Sequence, residues 1–483
     1  MAYTYKHGAY GEYIESTEKI TETNGTIPVY FGIAPVNRVK NSANYTNKPV
    51  LITSIAEAQQ KLGYSDEDDF SVYTLSGAIF AHFKNKVKAI GPIVCINVLD
   101  TEEHKATSET TGSKSAVNSL IELEENAIVD TIVVDSKTEN DDYIIEIREN
   151  GKVNIRLLKN PEEAVTVTYY KTDMDKLKED AIVGESNELN GKNKGIYVVD
   201  DVYTKLDVIP NILVAPKWGN SEKVRAKLLE KCSNISGLWD AIVVTDMPAT
   251  KGKVAEVIRE KESKKLNSEN EKLCYPMAIM NGKKMYSSII AAVRMQIEDA
   301  ENDGIPSHTP SNKKVGIEGI VLENGESVEI DFVDANKLNA NGITTFLFHS
   351  GKFVLWGPHM SIYKFGATND PHLVFDTNRR MDIYLNNSFK ERNFPNVDST
   401  VKRNDLLAMV ETEQMRLNAL VAAGDLLYGN MEFRGDENSK SDLVQGDFAF
   451  HSMVTSPIVA KSLTQKIEYT SKGIETLVAE EGE

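Results

Sequence analysis

Two apolar strands on either side of a helix constrain the fold of this 483-residue chain more than any other feature. VIPNILVAP at residues 208–216 is the first strand, a helix over residues 220–234 follows, and LWDAIVVTDMP at residues 238–248 is the second strand. Such a unit predicts parallel strands joined by a right-handed crossover. A helix at 253–266 and a strand at 274–282 continue the pattern. The middle of the chain is therefore predicted to be an α/β core.

The loops after these strands lack the glycines that bind phosphate groups. VAPKWGNSEK at residues 214–223 matches neither G-x-G-x-x-G nor G-x-x-x-x-G-K-[ST], which disfavours a nucleotide site. Neither H-E-x-x-H nor G-x-S-x-G occurs, and no histidine pairs with cysteine at zinc-finger spacing. Only His349, His359 and His372 fall within one region, and they form no ligand motif. We expect no catalytic residue, no metal and no cofactor.

Charge and composition exclude two further classes of function. The formal net charge is −18, from 54 basic and 72 acidic residues, whereas a nucleic-acid groove needs basic stripes. No apolar run approaches the roughly 18 residues that span a bilayer, and the first residues lack the apolar part of a signal peptide. Cys95, Cys232 and Cys274 lie far apart, which fits a reducing compartment. We expect a cytoplasmic protein that binds no nucleic acid and inserts into no membrane.

A block of different composition interrupts the core. Before it, strands are predicted at 26–36 and 91–100, with helices at 54–63 and 73–83 between them. Residues 101–115 are polar, and the strands that follow are predicted to lie at 127–136, in a hairpin turning at Asn150-Gly151, and at 164–172. A polar, glycine-rich stretch at 184–195 closes the block. We therefore predict a core from residues 25–100 and 195–350, with an inserted β domain at 101–194.

A second hairpin ends the predicted core. Asn341-Gly342 breaks the backbone before an apolar strand at 343–348, and Ser350-Gly351 supplies a two-residue loop. The partner strand at 352–356 ends on Trp356. On its own, this hairpin predicts a structural element and no chemistry.

Residues 351–459 are predicted to form an α+β domain that contains a long helix near residues 404–427. One face of this helix carries the apolar residues Leu406, Val410, Leu417, Leu420 and Val421. Glu413 falls within that face, so its carboxylate needs a cation or hydrogen-bond donors. The candidate partners are Arg416, one turn further on, and the Arg379-Arg380 pair. A structural ion pair is favoured over catalysis.

Both chain ends resemble unpaired strands. Tyr3, Tyr5 and His7 share one side of residues 1–24 if that segment is extended, and near the C-terminus Ile467 and Tyr469 alternate with polar residues. A terminal strand without a partner in its own chain is either unpaired or pairs with a sheet of a neighbouring subunit. We predict linking arms at 1–24 and 460–483.

Several segments, in this order, resemble the sheath proteins of contractile phage tails and R-type bacteriocins. They are HGAYGEYIES at 7–16, the α/β core from VIPNILVAP, Leu338-Asn339-Ala340-Asn341-Gly342-Ile343 with Trp356-Gly357, NRRMDIYLNNSF at 378–389, and GDFAFHSMVTSPIVAKSLTQKIEYT at 446–470. The resemblance covers nearly the whole chain except the 101–194 insertion.

This resemblance implies a structural subunit of stacked six-fold rings around an inner tube, with baseplate and terminator proteins as further partners. It implies assembly in a bacterial cytoplasm, in a phage tail or a released bacteriocin. In such sheaths the arms of different neighbours add to a sheet of a third subunit, here through Tyr3, Tyr5, His7, Ile467, Tyr469 and Leu477. The candidates for tube contact are Lys402, Arg403 and Arg416.

Two other functions stay open at this point. One is a sheath subunit of a related secretion machine, and the other is an enzyme on the α/β core, which would need His or carboxylate groups that converge at strand ends.

Overall fold

The computed structural model describes residues 25–147, 150–159, 164–187, 189 and 191–474. Its first elements are β1 (Pro28–Gly32), β2 (Pro49–Ile52), α1 (Ile55–Leu62), α2 (Thr74–Phe83) and β3 (Ile93–Asn97). The Ser54 side chain accepts the Glu57 N–H at the start of α1, and Gly63 ends the helix in the left-handed region. The strands and helices predicted for this part are confirmed.

The inserted segment contributes mostly short strands. These are β4 (Thr110–Ser115), β5 (Leu120–Glu122), β6 (Val133–Val134), β7 (Tyr143–Ile147), β8 (Val153–Leu157), β9 (Ala164–Tyr169), the helix α3 (Glu179–Val183), β10 (Ser186–Asn187) and β11 (Lys192–Asn193). They form the antiparallel sheets β4–β9–β6, β5–β8–β7 and β10–β11. Fourteen buried residues, among them Val153, Ile155 and Tyr169, form a core separate from that of the large sheet.

The structure departs from the sequence analysis of this segment in two places. The strand predicted at 127–136 is reduced to two residues, because Val129–Thr131 forms a 3₁₀ turn. The polar stretch at 101–115, for which no strand was predicted, contains β4, whose side chains are alternately half-buried and exposed and which pairs with all of β9. Strand β4 has no alternation of apolar and polar residues. The apolar alternation that marks this pair of strands lies in β9, so the sequence of β4 alone does not predict a strand.

The chain then returns to the large sheet. The elements are α4 (Val202–Leu206), β12 (Ile212–Val214), α5 (Glu222–Cys232), β13 (Ile242–Asp246), α6 (Val254–Ser263), β14 (Glu271–Cys274), β15 (Met277–Met280), β16 (Lys283–Met285), α7 (Ser287–Ala300), β17 (Gly319–Val321), α8 (Phe332–Asn339), β18 (Ile343–His349) and β19 (Lys352–Trp356). Strand β15 lies between β16 and β17 in a small antiparallel sheet.

The large sheet has the order β19–β18–β14–β13–β12–β1–β3–β2. Its six inner strands are parallel, and an antiparallel strand closes each edge. The predicted unit β12–α5–β13 is confirmed. The prediction of the next strand at 274–282 was wrong in detail, because the strand that follows α6 in the large sheet is β14, which ends at Cys274, whereas most of the predicted range is β15 of the small antiparallel sheet. Inner strands such as β1, β3 and β13 are fully buried, as expected for a sheet covered on both faces. The α/β core is therefore the fold class that the sequence predicts.

The predicted hairpin is the edge of this sheet. Strands β18 and β19 pair from Thr345↔Trp356 to His349↔Lys352, with the loop at Ser350 and Gly351. Gly342 precedes β18 with a φ of +64°, and an added Cβ would lie 2.7 Å from the Met360 carbonyl oxygen and 2.9 Å from that of Tyr363. Only glycine fits there without displacing main-chain atoms.

Replacing Gly342 with alanine is expected to destabilise the fold by about 2 to 3 kcal/mol, through backbone strain and this main-chain clash. Gly351→Ala is the matched control, because Gly351 also has positive φ, +77°, but has no atom within 4 Å of the added Cβ. The control is expected to cost about 1 kcal/mol. Urea unfolding followed by circular dichroism measures both. Equal losses would contradict the role of the clash.

The last elements form a small α+β unit beside the large sheet. They are α9 (Pro371–Val374), α10 (Asp376–Asn393), α11 (Arg403–Ala423), β20 (Tyr428–Glu432), α12 (Lys440–Gln445) and β21 (His451–Thr455). Strands β20 and β21 form an antiparallel hairpin. The helix predicted at 404–427 ends earlier, because Gly424 adopts a φ of +89°. Met381, Leu417, Leu420, Leu426 and Met431 form the core of this unit.

Candidate functional site

Helix α11 places the β20–β21 hairpin. Leu417 and Leu420 are buried on the predicted apolar face, with Val410 and Val421 packed beside them. The contact is close at Gly429 in β20, where an added Cβ would lie 2.9 Å from the Leu417 Cβ. A side chain at this position would push the hairpin off the helix.

Glu413 is buried on α11 and is paired, as its position on the apolar face predicts. Its partner is Arg392, at 2.5 Å between Nη2 and Oε2, with a second bond from Arg392 Nε at 3.0 Å. Asn393 donates a further bond at 3.1 Å. The predicted partners, Arg416 and the Arg379-Arg380 pair, were wrong, because α10 and α11 are antiparallel neighbours that bring the end of α10 to the middle of α11.

The two predicted arginines instead fasten the start of α10 to the core. Arg380, buried, pairs with Asp299 of α7 and lies 3.3 Å from the Thr26 hydroxyl. Arg379 donates from Nε to Asn270 Oδ1 at 2.7 Å. Burial raises the pKa of Asp299, and Arg380 and its hydrogen bond oppose that rise. The carboxylate therefore depends on Arg380 for its charge.

A second buried pair joins the same helix to the large sheet. Lys272 Nζ of β14 lies 2.6 Å from Asp376 Oδ2 and 2.8 Å from the Gly357 carbonyl oxygen, and neither charged side chain is exposed. At the other end of α10, Lys390 Nζ bonds Asp240 Oδ2 at 2.8 Å. Helix α10 is thus fixed to the core at both ends. Because α11 packs on α10 and the hairpin packs on α11, the position of the β20–β21 hairpin relative to the core is set through α10.

After β21 the chain continues as an exposed segment, residues 456–474, which we call the C-terminal arm. It contains no helix or strand, so the strand predicted around Ile467 and Tyr469 does not form within the described part of a single chain. Both side chains are 85% exposed, and Ile458 and Leu463 are exposed as well. Tyr3, Tyr5, His7 and Leu477 lie outside the described residues.

The beginning of this arm rests on the core. Lys461 Nζ lies 3.3 Å from the Tyr363 hydroxyl and 5.5 Å from the centre of its ring. Tyr363 stacks on His359 at 3.6 Å between ring centres, and the arm closes one side of a groove of about 930 Å³. Burial lowers the pKa of His359 to about 3, helped by Lys272 and Lys461, so this ring is neutral at ordinary pH.

The three candidates for tube contact do not form one patch. Lys402 and Arg403 are exposed at the start of α11, beside Asp405, which accepts the Lys402 N–H at 2.7 Å. Arg416 lies about 20 Å further along the axis and on a different face. It is half-buried, with its guanidinium 5.3 Å from the Tyr384 ring centre. The exposed face of α11 also carries Met415, which is 65% exposed.

Within the described residues, no cluster of three or more His, Cys, Asp or Glu side chains is arranged to hold a metal ion. His349 is exposed, His359 is buried, and His372 lies 3.5 Å from Asp382. No helix in the described ranges has the length and apolarity of a membrane span. The three cysteines are buried, and burial raises the pKa of the Cys232 thiol to about 11.

Comparison with solved structures matches almost the whole chain. A subunit of the anti-feeding prophage baseplate gives a TM-score of 0.57 at 13% identity, over 97% of this chain and 99% of that one. The sheath complex of an extracellular contractile injection system, PVC, in its contracted state gives 0.57 at 11% identity, over 98% and 100%. The chain has the fold of contractile sheath proteins. A sheath tail protein of Desulfitobacterium hafniense shares this sheath fold, with a TM-score of 0.52 at 10% identity over 93% and 100% of the chains.

Sequence comparison points to the same class of protein. The major tail sheath protein of Serratia phage KSP20 is 28% identical over 128 residues, which are 26% of this chain. The match spans 30% of the length of that relative. No family model matches the chain. The resemblance to tail sheath proteins that the sequence motifs indicate is confirmed, and the match to the sheath fold extends across the inserted segment as well.

Proposed function

We propose that the chain is the structural subunit of a contractile sheath. It polymerises as stacked six-fold rings around an inner tube and contracts to drive that tube through a target cell envelope. The observation that carries this proposal is the match of almost the whole chain to sheath proteins, including a sheath complex in its contracted state. In this proposal the chain is a structural protein and catalyses no reaction.

The C-terminal arm supports polymerisation. Its apolar side chains Leu463, Ile467 and Tyr469 are 85 to 89% exposed in a single chain, and an exposed segment without helix or strand is free to add to a sheet as a strand. We propose that this arm and the N-terminal arm, with Tyr3, Tyr5 and His7, each complete a sheet in a neighbouring copy. Leu477 belongs to the same proposed contact.

We propose a separate role for each predicted domain. Residues 25–100 and 195–350, with the edge strand β19, form the core of the sheath, residues 101–194 are an outer insertion, and the rest of residues 351–459 faces the tube. Lys402, Arg403 and Arg416 are the proposed tube contacts. Exposed ion pairs contribute only about 0 to 1 kcal/mol each, so such a contact is released easily. Baseplate and terminator proteins would bind the two ends of the cylinder.

The energy for contraction comes from the lattice in this proposal. The extended sheath is metastable, and contraction packs subunits into more extensive contact while the arms keep neighbours joined. A backbone hydrogen bond contributes about 1 kcal/mol net, so small gains per subunit add up over a long polymer. Assembly would take place in a bacterial cytoplasm, before release as a phage tail or bacteriocin particle.

Electron microscopy of the purified chain tests the proposal. We expect negative stain to show long hollow cylinders, formed by this chain without a second subunit type. The same result separates it from a two-chain secretion sheath, which would not assemble from one chain. Monomers at every protein and salt concentration, with the fold intact by circular dichroism, would contradict the proposal.

A further inference from the structure

The groove of about 930 Å³ between the C-terminal arm and the core is aromatic and contains no acidic residue. Phe332 and Phe365 line it and are 55% and 74% exposed, and the Phe332 ring centre lies 5.6 Å from that of Trp356. None of the described residues that line the groove is Asp or Glu, although the formal net charge of the chain is −18. Such a surface is suited to an apolar ligand that carries negative charge.

Two polar groups of the groove lack the partners that their chemistry requires. His359 is 3% exposed, and neither of its ring nitrogens has a hydrogen-bond partner within the described residues. Because its ring is neutral, it offers one donor and one acceptor, which the main chain of a bound peptide can satisfy. Lys461 contacts the Tyr363 ring and hydroxyl but forms no ion pair in the described part of the chain. These groups favour a peptide ligand with a carboxylate.

We propose that the occupant of this groove in the free subunit is the C-terminal tail of the same chain, residues 475–483. The tail lies outside the described residues, and its sequence is ETLVAEEGE. An apolar pair fits the aromatic walls, and a cluster of carboxylates fits a lining that has lysine and no acid. The apolar pair is Leu477-Val478, and the carboxylates are those of Glu480, Glu481, Glu483 and the chain end.

The length of the arm allows the tail to return to the groove. The chain passes the groove at Leu463, and residues 464–476 separate this point from Leu477. Fully stretched, this connection reaches roughly 45 Å, which is long enough to turn back. Closing a short loop costs little entropy, and the tail of the same chain is present at a higher effective concentration than that of another copy. The groove is therefore filled from within one chain.

A docked tail would hold the free subunit back from assembly. Leu477 belongs to the contact with a neighbouring copy in the proposed function, and it cannot occupy the groove at the same time. The tail would leave the groove when the subunit joins the lattice. This step rests on the proposed function, whereas the docking of the tail in the free subunit does not.

Disulfide trapping in the dilute free subunit tests the docking. Asn336→Cys reports on the groove, which Asn336 lines, and Lys337→Cys is the matched control, one residue further along α8 and outside the groove. Both residues are exposed, and the native cysteines are buried. Each change is combined with Val478→Cys, and a disulfide needs the two Cα atoms within about 7 Å. We expect a disulfide within one chain that forms at least tenfold faster with Asn336→Cys.

Two results of this trapping would overturn the inference. Equal rates for Asn336→Cys and Lys337→Cys would show that the tail meets the surface of α8 without docking. Disulfides between chains, in place of those within one chain, would assign the groove to the tail of a second copy.

Charge variants test why the tail is bound. Glu480→Gln with Glu481→Gln and Glu483→Gln is expected to slow the trapping of Asn336→Cys at least fivefold, and so is Lys461→Gln. Lys466→Gln, in the exposed part of the arm, is the matched control and is expected to leave the rate unchanged. An unchanged rate in the three-glutamine variant would contradict the choice of this tail as the occupant.

Assembly of the trapped chain tests the consequence. We expect that the oxidised chain with Asn336→Cys and Val478→Cys forms no cylinders and that reduction restores them. An oxidised chain that assembles as fast as the reduced chain would overturn the inference that docking holds the subunit back. Absence of cylinders from the unchanged chain would count against the proposed function alone, because the trapping is measured in the free subunit.

Discussion

A chain that ends at Lys461 is expected to remain monomeric under conditions in which the full chain forms cylinders. The truncation removes Leu463, Ile467 and Tyr469, which contribute nothing to the core because they are exposed, and keeps the contact of Lys461 with Tyr363. Folding should be unaffected, so the thermal midpoint is expected to shift by less than about 2 °C. Negative-stain microscopy and analytical ultracentrifugation measure the loss of polymer.

The matched control keeps the arm and changes only its polar positions. Lys466→Gln with Glu468→Gln leaves the alternating apolar residues Ile467 and Tyr469 in place, and we expect normal cylinders. Cylinders formed by the truncated chain would show that the C-terminal arm is not needed to join subunits. Loss of cylinders in the control as well would point to charge, and not to strand addition, as the important property.

The second large effect is expected at the buried pair between β14 and α10. Lys272→Ala leaves the Asp376 carboxylate without its cation in a site that water does not reach, which typically costs about 3 to 5 kcal/mol. The Gly357 carbonyl oxygen loses its donor at the same time. We expect this loss in the free energy of unfolding from urea titration.

Two further variants identify the cause. Lys272→Met with Asp376→Leu removes both charges and keeps the volume, and is expected to recover most of the loss. Lys86→Ala breaks an exposed pair with Glu318 and is expected to cost less than about 1 kcal/mol. A loss of similar size in Lys86→Ala and Lys272→Ala would rule out burial as the cause.

The parts of the fold that follow from local patterns were predictable. Apolar strands on either side of a helix predict the unit β12–α5–β13, and the Asn-Gly and Ser-Gly turns predict the β18–β19 hairpin. Strand β4 was not predictable, because polar residues paired with β9 leave no apolar alternation. The end of α11 depended on one glycine, Gly424, within an otherwise helical sequence.

The contacts of the candidate site were harder to predict than its elements. Burial of Glu413 follows from the helical period, but its pairing with Arg392 depends on how α10 packs against α11. Pairings such as Arg380 with Asp299 join residues from distant parts of the chain, which no spacing rule encodes. The sequence gives no indication that Gln414 bonds the main chain of β20. A glutamine is common on helices, and this contact depends on how β20 packs against α11.

In the proposed lattice, the contact between Lys461 and Tyr363 would set the point from which the C-terminal arm reaches a neighbouring subunit. The described residues after it, 462–474, span at most about 45 Å when fully stretched, whereas the segment before it is held against its own subunit. In this proposal the arm would therefore be a flexible tether that starts from a fixed point on its own subunit. A lattice connected in this way can shorten and turn by large amounts while every subunit stays attached to its neighbours.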